Sequence, residues 1–261
     1  MKEGFITRAR REFRLQVLSR IVRMNAKGIP NFADSSSECS SSIAREMMSV
    51  FGGSTGEGMV KPQEAGRIFE ELCLAFIRDC SVKTAHLRPG KWAYDRNLNI
   101  ARFEQYKHLV DVESLMSQYP ELAVVLGGNY IIKPDIVISR EPEEDEEINR
   151  SESIVDSLSA NRTLLRKANG SGPILHASIS CKWTLRSDRS QNSRTEALNL
   201  IRNRKGPLPH IVVVTAEPMP SRIASIALGT VKSILVCKLA FGHFHAAAPA
   251  SVFFSEESRL S

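Results

Sequence analysis

Five short runs in the second half of the chain, Tyr130 to Ile132, Ile136 to Ser139, Ile174 to Cys181, Ile211 to Thr215 and Ser233 to Leu239, are rich in β-branched and aromatic residues. Such residues suit a pleated, half-buried surface. Helix-length segments near Thr195 to Arg204 and Ser221 to Leu228 separate the later runs. Strands interleaved with helices predict an α/β (α+β mixed) chain, a central mixed sheet flanked by helices, and exclude an all-helical bundle. The first half has helical period instead. Over residues 3–24, Phe5, Ala9, Phe13, Val17 and Ile21 recur every fourth position, and Gly28 and Pro30 end the pattern. A serine-rich loop (Ser35 to Ser42) and a short helix from Ile43 to Phe51 follow. Pro62 then opens a longer helix with Phe69, Leu72, Cys73, Phe76 and Ile77 as its buried stripe, and a weaker helix spans Asp111 to Tyr119.

A chain of 261 residues with 42% hydrophobic and 25% charged residues can bury a core without disulfides or metal staples. The five cysteines are an odd number with no paired metal spacing, as expected of free thiols in a reducing cytoplasm. The longest uncharged stretch, Leu239 to Ser255, contains Gly242, His243, His245 and Pro249 and is too polar and broken for a bilayer span. The basic N-terminal segment has no apolar run of the secretory kind, so a cytoplasmic protein with no membrane association is expected. No composition shift separates two folded units, and residues 1–261 read as a single domain.

The placement of charge says more than its net value of +6. Residues 1–27, the basic N-terminal helix, hold eight Lys/Arg against Glu3 and Glu12, and residues 182–205 hold seven against Asp188 and Glu196. Between them, in a loop insertion over 140–152 expected to be mobile, the run Glu141 to Glu152 sets seven acids against Arg150. Two basic zones with an acidic insertion between them suit a polyanion-binding face, although charge runs are also ordinary solvated surfaces.

Three stretches carry chemistry: Lys133-Pro134-Asp135 entering a strand, Ser180-Cys181-Lys182 leaving one, and Glu196 fourteen residues after that lysine on a helix. An acid and a lysine on neighbouring strands are what metal-assisted phosphodiester hydrolysis requires. The carboxylate holds a hard divalent cation, the cation polarises the phosphate, and the lysine orients water or screens charge. Each group also has a plain explanation. Pro-Asp pairs occur in turns, a strand-end lysine is commonly solvated, and Ser193-Arg194-Thr195-Glu196 spells a capping box. Gln63 and Glu70, seven residues apart, share nearly one face of their helix.

The stretch Ser180 to Glu196 (SCKWTLRSDRSQNSRTE), together with Lys133-Pro134-Asp135, resembles the NgoMIV group of type II restriction endonucleases, the CCGG-specific branch of the PD-(D/E)XK nuclease superfamily. Superfamily members usually carry an acid two residues before the lysine. Ser180 stands there in this sequence, and in the CCGG branch the acid comes from the following helix, which matches Glu196. Gln63 to Glu71 resembles the group's N-terminal helix, and the likeness spans roughly residues 30–225.

The resemblance implies a restriction-endonuclease-like PD-(D/E)XK fold and Mg²⁺-dependent cleavage of double-stranded DNA, with Mn²⁺ able to substitute. It implies that Asp135 and the backbone carbonyl of Cys181 ligate the metal. Glu196 and Glu70 would complete the site directly or through water, and Lys182 would position the attacking water. Hydrolysis would leave a 5′-phosphate and a 3′-hydroxyl. Nothing pairs Cys181 with an activating histidine, so it is not a nucleophile. Arg186, Asp188 and Arg189 suit a CCGG core, since arginine donates twice to guanine and a carboxylate accepts from cytosine N4. A surface ion pair is the bland alternative. The resemblance extends to Asp34, Ser36, Gln63 and Arg222 as readers of the flanking base pair, giving GCCGGC. A two-fold symmetric site calls for at least a dimer, and the resemblance implies a homotetramer. A repair or structure-directed nuclease and a non-catalytic DNA-binding protein are the rival readings. His243 and His245 lack a third ligand, and the glycines at 52, 53, 56 and 58 lack the lysine of a phosphate loop, so no nucleotide cofactor is expected.

Overall fold

One mixed sheet organises the chain, and its five strands lie side by side in sequence order: β1 (Trp92–Arg96), β2 (Ile136–Arg140), β3 (Ile174–Lys182), β4 (His210–Thr215) and β5 (Ile234–Lys238). The first three run antiparallel to their neighbours and the last three parallel. The structure is a computed structural model that describes residues 3–119, 121, 130–185, 187–228 and 234–238. The helices are α1 (Phe5–Arg20), α2 (Glu38–Phe51), α3 (Pro62–Lys83), α4 (Leu109–Gln118), the single turn α5 (Asp145–Ile148), α6 (Ser187–Arg202) and α7 (Pro220–Leu228). Parallel neighbours need crossover connections. α6 and α7 supply them between β3, β4 and β5.

Strand alternation divides the core in two. Ile136, Ile179, Cys181 and Val214 point to one face, where Phe13, Val17 and Leu18 of α1, Ala44 and Met47 of α2, and Ile68, Phe69 and Leu72 of α3 cover them. Val137, Leu175 and Ile211 point to the other face, against Phe103, Tyr106 and Leu109 and against Ala197 and Leu200 of α6. Leu175 reaches that face through a bulge. Ile138 pairs with Ala177 but Ser139 pairs with Leu175, so His176 is an extra residue that reverses the side-chain alternation. Gln105, fully buried, completes the ladder there: its Nε2 donates to the Leu175 carbonyl at 2.8 Å and its Oε1 accepts the Leu175 N–H at 2.9 Å.

Several expectations are corrected. α6 begins at Ser187, eight residues before the predicted start near Thr195, so Ser193 and Glu196 lie inside the helix and form no capping box. α2 starts at Glu38 rather than Ile43, capped by the Ser37 side chain, which accepts from the Ser40 N–H at 3.2 Å. Residues 130–132 form no strand: Pro134 has no N–H to give a ladder, and the segment instead packs Tyr130, Ile131 and Ile132 on the second core. β1 escaped the sequence reading. The acidic insertion is folded: Arg166, only 7% exposed, donates to Asp145 Oδ1 at 2.8 Å and to the Asp156 carbonyl at 2.9 Å. Lys167 pairs with Glu144. His243 and His245 lie outside the described residues, and among those described no helix is long and apolar enough to cross a membrane.

Replacing Gln105 with leucine keeps its volume but strands two buried backbone groups of Leu175. The variant is expected to lose about 2–3 kcal/mol of stability in urea unfolding. A loss below about 0.5 kcal/mol would mean that the bulge recruits another partner.

Candidate active site

The start of β2 and the end of β3 lie next to each other because those strands run antiparallel, and this places Asp135 beside Lys182. Asp135 Oδ2 accepts from the Cys181 N–H at 2.7 Å and from Lys182 Nζ at 3.0 Å. Both side chains are about four-fifths buried, with exposures of 18% and 20%. Parity along β3 sends Ser180 and Lys182 to the face that α6 covers, and Glu196 approaches from that helix. α3 runs past the same corner on the other side and contributes Glu70. Three predicted carboxylates, Asp135, Glu196 and Glu70, thus meet around Lys182.

Their protonation follows from that crowding. Burial raises the Glu196 carboxyl above its ordinary range; Lys182 opposes this, the Asp135 charge adds to it, and Ser180 lowers it slightly without a hydrogen bond of good geometry. Burial likewise raises Glu70, against the Arg96 hydrogen bond and with the Asp135 charge. Burial pulls the Lys182 ammonium down, but the charge and hydrogen bond of Asp135, with Glu196 and Cys181, outweigh it and hold the lysine above its usual value. The metal-free site therefore favours the ammonium form of the lysine. In that form it holds, orients and donates.

Among the described residues, no three His, Cys, Asp or Glu side chains stand in a preformed cation cluster. The donor set nonetheless fits a hard divalent ion. All the groups present oxygen, they are partly shielded from water, and Asp135 raises both Glu70 and Glu196. Asp135, Glu70 and Glu196 set three carboxylates beside the Lys182 ammonium and the Arg96 guanidinium, and the repulsion that Asp135 exerts on both glutamates is what an oxygen-loving cation would relieve.

A second cluster forms where β4 ends. Arg222, on α7, pairs with Asp34 from a loop 188 residues earlier. Asp34 Oδ1 also accepts from the Ser36 N–H at 3.1 Å and from the Ser36 hydroxyl at 2.6 Å. The Ser36 hydroxyl and the Arg222 guanidinium lower the Asp34 carboxyl to about 2. The fold so unites three of the four residues assigned to the flanking pair. Gln63 sits exposed on the first turn of α3, and among the described residues no hydrogen bond joins it to the other three. Asp188 and Arg189 are in the first turn of α6; their side chains and the whole of Arg186 lie outside the described residues.

Two residues of these clusters escaped sequence reasoning. Arg96, the last residue of β1, donates to Glu70 Oε2 at 2.8 Å and to Glu71 Oε1 at 3.4 Å. Glu217 is 1% exposed beneath Arg222. No local motif announces Arg96. Glu217 had a signal, a carboxylate three residues after the apolar run Ile211 to Val214.

The sequence profile of the NgoMIV restriction enzyme matches residues 13–250. The chain belongs to this family. It is 48% identical over 230 residues to the Type II restriction enzyme NgoMIV of Neisseria gonorrhoeae, an alignment covering 86% of this chain and 80% of that relative. The NgoMIV fold is consistent with the mixed sheet and its flanking helices, and family membership makes the chain a site-specific deoxyribonuclease.

The raised Glu196 carboxyl sets a test in the metal-free protein. A carboxyl whose pKa is higher folded than unfolded costs stability once ionised; the cost is absent below the unfolded value of 4.5 and complete above the folded one. In chelator, Glu196→Gln is expected to melt higher than the parent at neutral pH. The gap should close as pH falls through that window, while cleavage activity is lost. A variant less stable than the parent at neutral pH would show that the ionised Glu196 is a stabilising group.

Proposed function

We propose that the protein is a restriction endonuclease that cleaves duplex DNA at GCCGGC with Mg²⁺ or Mn²⁺, leaving a 5′-phosphate and a 3′-hydroxyl, and works as a homo-oligomer in the cytoplasm. The observation that carries the reaction is the single oxygen Asp135 Oδ2, which faces Lys182 Nζ at 3.0 Å with two further carboxylates around them. Asp135 and the Cys181 carbonyl would hold the divalent cation, with Glu196 and Glu70 completing its surroundings directly or through water. Bound there, such a cation supplies positive charge to the phosphate and favours ionised water. Lys182 holds the attacking water in line with the phosphorus by donating from Nζ, and its fixed charge screens the developing negative charge. Arg96 keeps Glu70 turned toward the corner.

Specificity is assigned to the segment after β3 and to the second cluster. Arg186, Asp188 and Arg189 offer donors to the guanines and an acceptor to a cytosine of CCGG. The Arg222–Asp34 pair repeats the same chemistry once, a guanidinium beside a carboxylate ionised at all working pH values, which suits one further G·C pair. A palindrome read this way needs two copies of the chain, and a tetramer would hold two such sites.

Asp135→Ala and Lys182→Ala are expected to abolish cleavage in Mg²⁺ while specific duplex binding persists. Arg186→Ala, Asp188→Ala and Arg189→Ala should each cost about 1–3 kcal/mol in discrimination against a scrambled core at fixed salt. Wild-type cleavage by the Asp135 variant would overturn the site. Equal losses on cognate and scrambled duplexes would reduce the recognition segment to a phosphate clamp.

A further inference from the structure

Glu217 is given no part in the hydrolysis, yet it is the most deeply buried acid in the described chain, and both of its carboxylate oxygens and its own N–H are engaged. A carboxylate 1% exposed is costly unless its oxygens are fully used. Oε2 accepts the Leu185 N–H at 3.0 Å, and Oε1 accepts the Met219 N–H at 3.2 Å and faces Arg222 Nη1 at 3.5 Å. Its own N–H donates to the Thr215 hydroxyl at 3.0 Å, and Thr215 is itself fully buried. From this root the contacts run outward in two directions. Through Arg222 they reach Asp34 and, through it, Ser36. Through the Leu185 N–H they reach the backbone leaving β3, one residue before Arg186.

Packing leaves that backbone few alternatives. Trp183 stands edge-on to Phe32 and Phe69, with ring centres 6.0 Å and 5.2 Å away, and Leu185 is buried with Val213 and Ile226. Glu217 holds the polar half of the same joint. It also fixes Arg222 from below, so the guanidinium is gripped by two carboxylates on different segments and only its outward edge is left to meet a base. A lysine or a neutral anchor could not hold a planar fork in this way.

We infer that Glu217 is a positioning residue for sequence readout, acting through Arg222 and the Leu185 backbone. This rests on the proposed role of Asp34 and Arg222 at the flanking base pair, and it predicts that a residue buried away from DNA sets selectivity there.

The test is the ratio of kcat/KM on GCCGGC and ACCGGT duplexes, measured for the parent, Glu217→Gln and Arg222→Ala. Glu217→Gln is expected to shrink the ratio about tenfold, as loss of hydrogen bonds to a charged group would. A purely structural buried acid would slow both duplexes alike and leave the ratio unmoved, which would overturn the inference. Should Glu217→Gln fail to fold, Thr215→Val keeps the carboxylate and removes the hydroxyl that accepts the Glu217 backbone N–H, freeing the segment that aims the side chain; an unchanged ratio there would equally overturn the inference. Arg222→Ala separates the two layers: if its ratio equals the parent's, the flanking-pair reading itself is wrong. If Arg222→Ala shrinks the ratio and neither Glu217→Gln nor Thr215→Val does, only the positioning role falls.

Discussion

Asp135 Oδ2 receives two donors that belong to consecutive residues of β3, the Cys181 N–H and the Lys182 ammonium. Much of the structure exists to make that meeting possible. The carboxylate stands just before β2 and the lysine ends β3, so the contact requires antiparallel pairing in a register that sets Ile136 opposite Ile179. The register in turn depends on the two-sided core, because a slip by one residue would send Ile136 and Ile179 to the wrong layer. A short charge-assisted contact thereby inherits its precision from apolar packing on both sides of the sheet. α3 and α6, which pack on opposite faces, then bring Glu70 and Glu196 to the same corner.

How much of this was legible in the sequence depended on how local the signal was. Asp135, Lys182 and Glu196 were readable because two lie at strand ends and the third lies inside the helix that follows, so their spacing shows as a motif. The capping-box reading of Ser193 and Glu196 failed for a geometric reason. A spacing of three serves the start of a helix, yet it equally places two residues on one face inside a helix, and only the true start at Ser187 separates the cases. β1 was missed because an edge strand with an exposed Asp95 and a terminal Arg96 lacks the apolar run that marks a central strand. Arg96 was invisible as a site residue because its partners lie 25 and 26 residues away in sequence, and Glu217, though a carboxylate close behind β4, was passed over because the β3 backbone N–H that it accepts lies 32 residues away. Tyr130 to Ile132 looked like a strand because apolar residues were wanted there, as indeed they are, by the second core rather than by a ladder.

The two clusters are opposite electrostatic solutions. At the corner of β2 and β3, burial and the Asp135 charge push the Glu70 and Glu196 carboxyls up. At the end of β4, hydrogen bonds push Asp34 down to about 2, leaving a carboxylate that keeps its charge and its shape. The first arrangement suits a group that must change its company during a reaction. The second suits one that must present an unvarying face to a base.

The acidic segment adds a consequence of another kind. Arg166 binds Asp145, 21 residues earlier in the sequence, and also ties in the Asp156 and Ser159 carbonyls. One guanidinium thereby helps to close a ring of chain whose ends would otherwise wander. The entropy of closing such a ring grows only slowly with its length, so a few well-made bonds at its neck suffice where a long excursion would seem to need many. Backbone bonds from the Glu143 N–H to the Leu165 carbonyl and from the Lys167 N–H to the Glu143 carbonyl, with the Lys167–Glu144 pair, share that closure with Arg166. An excursion built this way can vary in length and charge between related chains while the distance between Arg140 and Ile174, where the sheet resumes, stays the same.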